Sequence, residues 1–160
     1  MKVGVIFGSS SDLKILKGVT DTLKEFGIDF FCEIISAHRM PEYLKEKISE
    51  MEDNGAEIFI AGAGLAAHLP GVIASYTLKP VIGVPISSAM DGLDSLLSIV
   101  QMPSGIPVAT VGIDKGKNAA ILAAEILSIK YSELKTKLKE SRQKKIESIL
   151  KENKNLKDKI

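Results

Sequence analysis

The sequence predicts an α/β fold built on a parallel sheet, and three observations carry that reading. Short apolar runs rich in valine and isoleucine alternate with longer segments of helical period. The strand-like runs are nearly continuous in apolar character, as expected where helices cover both sheet faces. Small polar or glycine-rich turns follow the first three of them.

Val3–Phe7 opens the pattern as the first strand, and Asp12–Phe26 follows as a helix that Ser11 or Asp12 can cap and Gly27 can end. Ile28–Ile35 is the second strand. Pro41 suits the first turn of a helix over Pro41–Asn54, which Gly55 can close. Glu57–Ala61 leads into a helix over Ala66–Thr77, Pro80–Val84 into one over Leu93–Val100, and Pro107–Val111 into one over Ala119–Tyr131. Five such units predict a three-layer, flavodoxin-like fold, with a five-stranded parallel sheet in the order 2-1-3-4-5.

From Ser132 to Ile160 lysine, glutamate, asparagine and serine dominate, so this stretch is not another sheet unit. Tyr131, Leu134 and Leu138, then Ile146, Ile149 and Leu150, mark a narrow apolar stripe interrupted around Arg142. A peripheral or partly frayed helix and a helix packed on a neighbouring subunit both fit. Residues 1–131 are expected to form the main body and residues 132–160 a C-terminal helical extension of the same domain.

A chain of 160 residues with 45% hydrophobic content can bury one full-sized core. The 21 basic and 20 acidic side chains give a formal charge of +1, too even for a chain-wide field toward nucleic acid or anionic membrane. No partner of either kind is expected. Cys32 is the single cysteine, read as a small core residue on a strand in a reducing compartment. The N-terminus shows no signal-peptide pattern, and no apolar run approaches the roughly 20 residues of a membrane span, so a cytoplasmic location is expected.

Ligands of open α/β folds collect beyond the carboxyl ends of the strands, and three loops there carry chemistry. Gly8-Ser9-Ser10-Ser11-Asp12 offers amides and hydroxyls at a helix start for a phosphate, and a carboxylate that can accept from ribose hydroxyls. Neither the Walker nor the dinucleotide glycine pattern is present. The second loop, Ser36-Ala37-His38-Arg39, adds a hydroxyl, an imidazole and a phosphate-gripping guanidinium. In the third, Ala61-Gly62-Ala63-Gly64-Leu65-Ala66-Ala67-His68, small residues let backbone approach a flat ligand, and amides at the following helix start can receive a carboxylate. Close helix–sheet packing would explain the same small residues. His38 and His68 are the only histidines, and both end strands. There is no His-x-x-x-His, cysteine cluster or carboxylate set for a metal.

These loops, with Ala66-Ala67-His68-Leu69-Pro70-Gly71 and the run from Asp94 to Val108, closely resemble the class I mutases that act on 5-(carboxyamino)imidazole ribonucleotide. The resemblance extends in register from the first strand through the fifth helix. It implies isomerisation of that substrate to 4-carboxy-5-aminoimidazole ribonucleotide in de novo purine (IMP) biosynthesis, without metal, ATP or organic cofactor. Matching positions imply that Ser9, Asp12 and Arg39 bind the ribonucleotide, supported by Ser11 and Ser36. His38 matches the proton-transfer histidine and His68 the second active-site histidine. Ala63, Gly64, Leu65 and Leu69 belong to the loop expected to hold the migrating carboxyl group as trapped carbon dioxide. The family forms a homo-octamer with active sites at subunit contacts, which implies an interface role for Asp94–Gly105 and the tail. Two positions depart from the family pattern: Leu65 stands where glycine is usual, and Met40 where threonine is. A positive φ at Leu65 would strain it. The segment Ser88–Gly92 also looks slightly shortened.

Two alternatives differ in identifiable residues. The class II carboxylase resembles Ala-Gly-Arg-Ser-Asn in the third loop, where this chain has the Ala-Ala-His-Leu-Pro-Gly run. A noncatalytic flavodoxin-like or receiver module would need an acidic cluster after the first strand or aromatic rings around a flavin, and the corresponding loops contain neither.

Overall fold

The structure, a computed structural model, describes residues 1–157. Five parallel strands, β1 (Lys2–Phe7), β2 (Asp29–Ile34), β3 (Ala56–Ala63), β4 (Val81–Pro85) and β5 (Ala109–Thr110), form one sheet in the order β2-β1-β3-β4-β5. Helices α1 (Leu13–Phe26), α2 (Pro41–Asp53), α3 (Leu69–Tyr76), α4 (Leu93–Val100) and α5 (Gly116–Leu127) connect or follow the strands, and α6 (Glu133–Lys157) ends the described chain. This is the three-layer arrangement and strand order that the alternation predicts.

The period-two geometry of β1 divides the core between the two faces. Val3, Val5 and Phe7 point into a cluster with Leu16, Val19 and Leu23 of α1 and Ala119, Ala120 and Ala123 of α5. Ile6 points the other way, into a cluster with Leu44 and Ile48 of α2, Ile73 of α3 and Ile99 of α4. Two sheet glycines make room for rings. A Cβ on Gly4 would lie 2.6 Å from Phe59 Cε1, and one on Gly62 would lie 2.6 Å from Phe7 Cδ1 and Cζ.

Several boundaries differ from expectation for local reasons. Ser9 makes the first N-terminal cap, where Ser11 or Asp12 was expected: its Oγ accepts from the Ser11 amide at 3.2 Å, opening a short 3-10 turn, Ser10–Asp12, before α1. Asp12 makes no side-chain capping bond. Pro41 does begin α2, and Gly27, at φ 67°, does end α1. Helix α3 begins at Leu69 rather than Ala66, because Leu65 is left-handed at φ 55° and the Ala67 and His68 amides close tight turns. Helix α5 begins at Gly116 and stops at Leu127, four residues before Tyr131. Gly116 lies so close to α1 that a Cβ there would be 2.8 Å from the Ile15 carbonyl oxygen. Strand β5 shrinks to two residues paired with Ile82 and Gly83; Pro107 has no amide to offer a ladder. Cys32 is exposed on the edge strand β2 rather than part of the core.

The tail is one continuous helix, and its first turns are not peripheral. Leu134 and Leu138 are buried in the core beside α1 and α5. Lys137 donates to the Phe26 carbonyl at 2.7 Å, and Arg142 pairs with Glu125 at 2.5 Å. Below the helix, Glu57 accepts from Lys130 and Tyr131, both at 2.7 Å, tying β3 to the turn between α5 and α6. Beyond Arg142 the stripe of Ile146, Ile149 and Leu150 is exposed. The last three positions of the predicted tail, 158–160, lie outside the described residues. Among the described residues, no helix is long and apolar enough to cross a membrane.

Candidate active site

Parallel pairing of β2, β1 and β3 delivers three polar loops to one end of the sheet. Phe7 aligns with Ile34 on one side and Gly62 on the other, so the three strands stop nearly level and their loops surround a cleft of about 240 Å³. Its walls are Gly8, Ser9, Ser11 and Asp12 after β1, Ser36, Ala37 and His38 after β2, and Ala63 to Leu69 after β3. Ile86 and Ser88, after β4, complete it.

The two histidines meet inside this cleft. His38 Nε2 lies 2.7 Å from His68 Nδ1, with ring centroids 4.8 Å apart and planes at 75°. A bond of this length needs one N–H and one unprotonated nitrogen, so the pair carries at most one positive charge while it is made. The ring nitrogens outside the bond, His38 Nδ1 and His68 Nε2, remain for substrate or solvent. His38 is aimed by a tight turn in which the Arg39 and Met40 amides both donate to the Ser36 carbonyl, at 3.2 and 2.9 Å. His68 is held by the N-terminal cap position of α3.

In the loop after β1, between the loops that carry the two histidines, Ser9, Ser11 and Asp12 form a bonded cluster. Ser11 Oγ lies 2.8 Å from both Ser9 Oγ and Asp12 Oδ1; its single proton goes to the Asp12 carboxylate, which can only accept, and its lone pairs accept from the Ser9 hydroxyl. The cluster places a carboxylate and two hydroxyls on one rim, a set suited to vicinal hydroxyls. Arg39 does not line the histidine cleft. It lies with Ser10, Ile34 and Met40 in an adjoining depression of about 420 Å³ that shares Gly8, Ser9 and Ser36 with it. A ligand bound across both would meet the Arg39 guanidinium at one end and the imidazoles at the other.

The third loop divides the two readings of its small residues. Ala61 is buried, and Gly62 makes room for the Phe7 ring, so these two serve packing. Ala63, Gly64, Leu65 and Leu69 line the cleft. Of the amides around the start of α3, those of Ala67 and His68 donate internally, to Leu65 and Ala66 carbonyls at 2.8 and 2.7 Å, while those of Leu69 and Gly71 make no backbone bond among the described residues. Among the described residues, the amides of Gly64, Leu65 and Ala66 also make no backbone bond, which leaves them as further donors there. Leu65 adopts φ 55°, which costs a residue with a Cβ about 1–2 kcal/mol. Near β4, Met90 and Asp91 are also left-handed, and Asp114, at φ 59°, accepts the Ser87 amide at 2.9 Å to hold the β4 loop.

Ile86 and Ser88 are the lining residues that sequence reasoning missed. The strand order places β4 beside β3, so the Ser87-Ser88 run after Pro85 is the available signal. No group of three or more metal-ligating side chains lies together among the described residues.

A family model described as AIR carboxylase matches residues 2–148, nearly all of the described chain. The chain belongs to the AIR carboxylase family. Among its relatives, the N5-carboxyaminoimidazole ribonucleotide mutase of Pyrococcus abyssi is 62% identical over 143 residues, covering 89% of this chain and 82% of the relative. The mutase of Thermotoga maritima is 54% identical over 150 residues, covering 93% and 88%. A crystal structure of Treponema denticola PurE superposes with a TM-score of 0.88 at 32% identity, covering 98% of both chains. The family match thus spans all three loops of the cleft.

Proposed function

We infer that this AIR carboxylase family member is an N5-carboxyaminoimidazole ribonucleotide mutase of purine biosynthesis, an isomerase that moves a carboxyl group from nitrogen to ring carbon within one ribonucleotide. The observation that carries the reading at the site is the His38–His68 contact of 2.7 Å inside the cleft. Identity to curated mutases at 54–62% over most of the chain supports it.

The chemistry follows from the substrate. Its carboxyamino group is a carbamate; a proton delivered to that nitrogen by His38 lets the C–N bond break, its electron pair staying on nitrogen, and releases carbon dioxide. Aminoimidazole ribonucleotide remains. Its electron-rich ring carbon attacks the carbon dioxide, forming the new C–C bond, and His38 takes the ring proton to restore aromaticity. One proton is given and one recovered, so the reaction balances without a further reactant. His68, bonded to His38, fixes its ring and shares its charge. Holding both fragments makes recombination effectively unimolecular, an advantage of up to ~7–11 kcal/mol in ideal cases.

The roles of the remaining residues belong to the same proposal. Arg39 and Ser9, with Ser36, grip phosphate; Asp12, with Ser11, accepts from the ribose hydroxyls; Ala63, Gly64, Leu65 and Leu69 enclose the ring and the migrating carboxyl group. Residues 132–160 extend the single catalytic domain, and the protein works in the cytoplasm as a homo-octamer. Exposure of both histidines and of the Ile146, Ile149 and Leu150 stripe in the single chain supports sites completed at subunit contacts. Light scattering at eight chain masses is expected, and a monomer would contradict it.

His38→Asn tests the mechanism. General acid–base catalysis contributes about 10²–10⁴-fold, so kcat should fall by at least that lower factor while the thermal midpoint is unchanged. Near-normal turnover would overturn the assignment of His38.

A further inference from the structure

Leu65 combines an exposed branched apolar side chain with left-handed backbone, and it does so in the wall of the histidine cleft. Its φ is 55° and it is 55% exposed. A side chain that lines a cleft and is also half in solvent stands at its rim. The loop does not need leucine for its own bonds, because both tight turns around Leu65 are made by main-chain atoms that glycine would also supply. Strain that the local fold does not require, held at a functional site, points to a task for the side chain.

The surroundings define that task. The preceding residue is backed by the loop after β4: a Cβ on Gly64 would make ordinary contact with the Ile86 carbonyl oxygen at 3.4 Å and Ser88 Cβ at 3.5 Å, so that loop stands behind this stretch of the cleft wall. His68, three residues on, is bonded to His38. The apolar part of the cleft is small apart from Leu65, Leu69 and Ile86, and the polar part, beyond the histidines, is made of Ser9, Ser11, Ser36, Ser88 and Asp12, groups that hold a sugar or phosphate through directed bonds. Carbon dioxide is small, uncharged and a weak hydrogen-bond acceptor, so such groups offer it little. An apolar barrier is what delays its escape and keeps out water.

We propose that Leu65 is a retention residue, which closes the cleft mouth over the carbon dioxide set free in the first half-reaction and holds it until the ring carbon captures it. The proposal rests on the mutase reading and adds no covalent step to it. Leu65 neither gives nor takes a proton; it changes how the released carbon dioxide divides between capture and escape.

Three variants separate side chain from backbone. Leu65→Ala keeps the Cβ, and with it the strain, but removes the isobutyl body. Leu65→Gly removes both, and Leu65→Met restores comparable apolar bulk. Each is given N5-carboxyaminoimidazole ribonucleotide without ATP or added bicarbonate. The readout is aminoimidazole ribonucleotide released per carboxylated product, corrected for loss without enzyme. A methylene's worth of apolar contact in a pocket is worth at least about tenfold in discrimination; taking that lower figure for the hold on carbon dioxide, Leu65→Ala and Leu65→Gly are expected to raise the ratio by about that factor and Leu65→Met to return it toward wild type. Leu65→Gly should also melt higher than Leu65→Ala. An unchanged ratio in Leu65→Ala, or leakage in Leu65→Gly alone, would overturn the retention role while conversion by the wild type left the mutase reading standing. No conversion by the wild type would overturn the mutase reading, and the proposal with it.

Discussion

Gly62→Ala sets a methyl group against a ring that has nowhere to go. Phe7 and Gly62 are register partners on neighbouring strands, and Phe7 is fully buried. The new Cβ would lie 2.6 Å from Phe7 Cδ1 and Cζ, far inside the roughly 3.5–4.0 Å at which carbon atoms attract. Phe7 in turn packs with Leu16, Val19 and Ala120, so its ring cannot rotate away without opening the α1–α5 layer. Overpacking of this kind costs about 1–3 kcal/mol. Replacing glycine within a strand returns about 0.5–1 kcal/mol of backbone entropy. An overlap this deep belongs in the upper part of the overpacking range, about 2–3 kcal/mol, so the net expectation is a loss of about 1–2.5 kcal/mol, and at about 2–4 °C per kcal/mol for a domain of this size the thermal midpoint should drop by about 2–10 °C. Calorimetry measures it. In a double-mutant cycle, Phe7→Leu with Gly62→Ala should lose less than the two single variants added together, by about 0.5–3 kcal/mol. An unchanged or raised midpoint in Gly62→Ala would refute the claim that Gly62 exists to seat the ring.

Ser9→Ala removes the cap of the first turn and a hydroxyl of the candidate phosphate wall. A stability loss of about 1 kcal/mol is expected, together with a KM that rises more than kcat falls; an unchanged KM would remove Ser9 from substrate binding. Glu57 carries a pH signature. Burial pushes its carboxyl up, but hydrogen bonds from Lys130 and Tyr131 outweigh this and hold it below its ordinary 4.5. A group depressed on folding stabilises the protein above its unfolded value and loses that contribution as pH falls through the folded one. Glu57→Gln should therefore weaken the protein at neutral pH and flatten its loss of stability below pH 4.5, as read from denaturation midpoints across that range. Parallel pH curves for the two proteins would show that the contact to Lys130 and Tyr131 contributes nothing.

The features legible in the sequence are those governed by pattern. Apolar runs alternating with helical segments give the strand order once parallel connection is assumed, and the order alone puts the loops after β1, β2 and β3 together. His38, His68, Ser9, Asp12 and Ser36 are therefore readable as neighbours. What escapes is governed by single backbone conformations or by packing. Ala66-Ala67-His68 has good helical character, yet Leu65 at positive φ delays α3 to Leu69 and leaves these residues as a loop. Gly116 reads as a breaker but begins α5, because α1 approaches it too closely for a side chain. Position in the chain groups Arg39 with the histidines. The turn after Ser36 instead carries it to the adjoining depression. Ile86 and Ser88 line the cleft from a loop that Asp114 holds through the Ser87 amide, a contact 27 residues apart in the chain that no local pattern announces.

The central claim is that one ribonucleotide enters already carrying the carboxyl group that is moved. Product analysis without ATP, comparing N5-carboxyaminoimidazole ribonucleotide with aminoimidazole ribonucleotide plus bicarbonate, tests it most directly. The account predicts rapid conversion of the first and only slow use of the second at high bicarbonate. Efficient use of the second alone would contradict it and make the protein a carboxylase of free carbon dioxide.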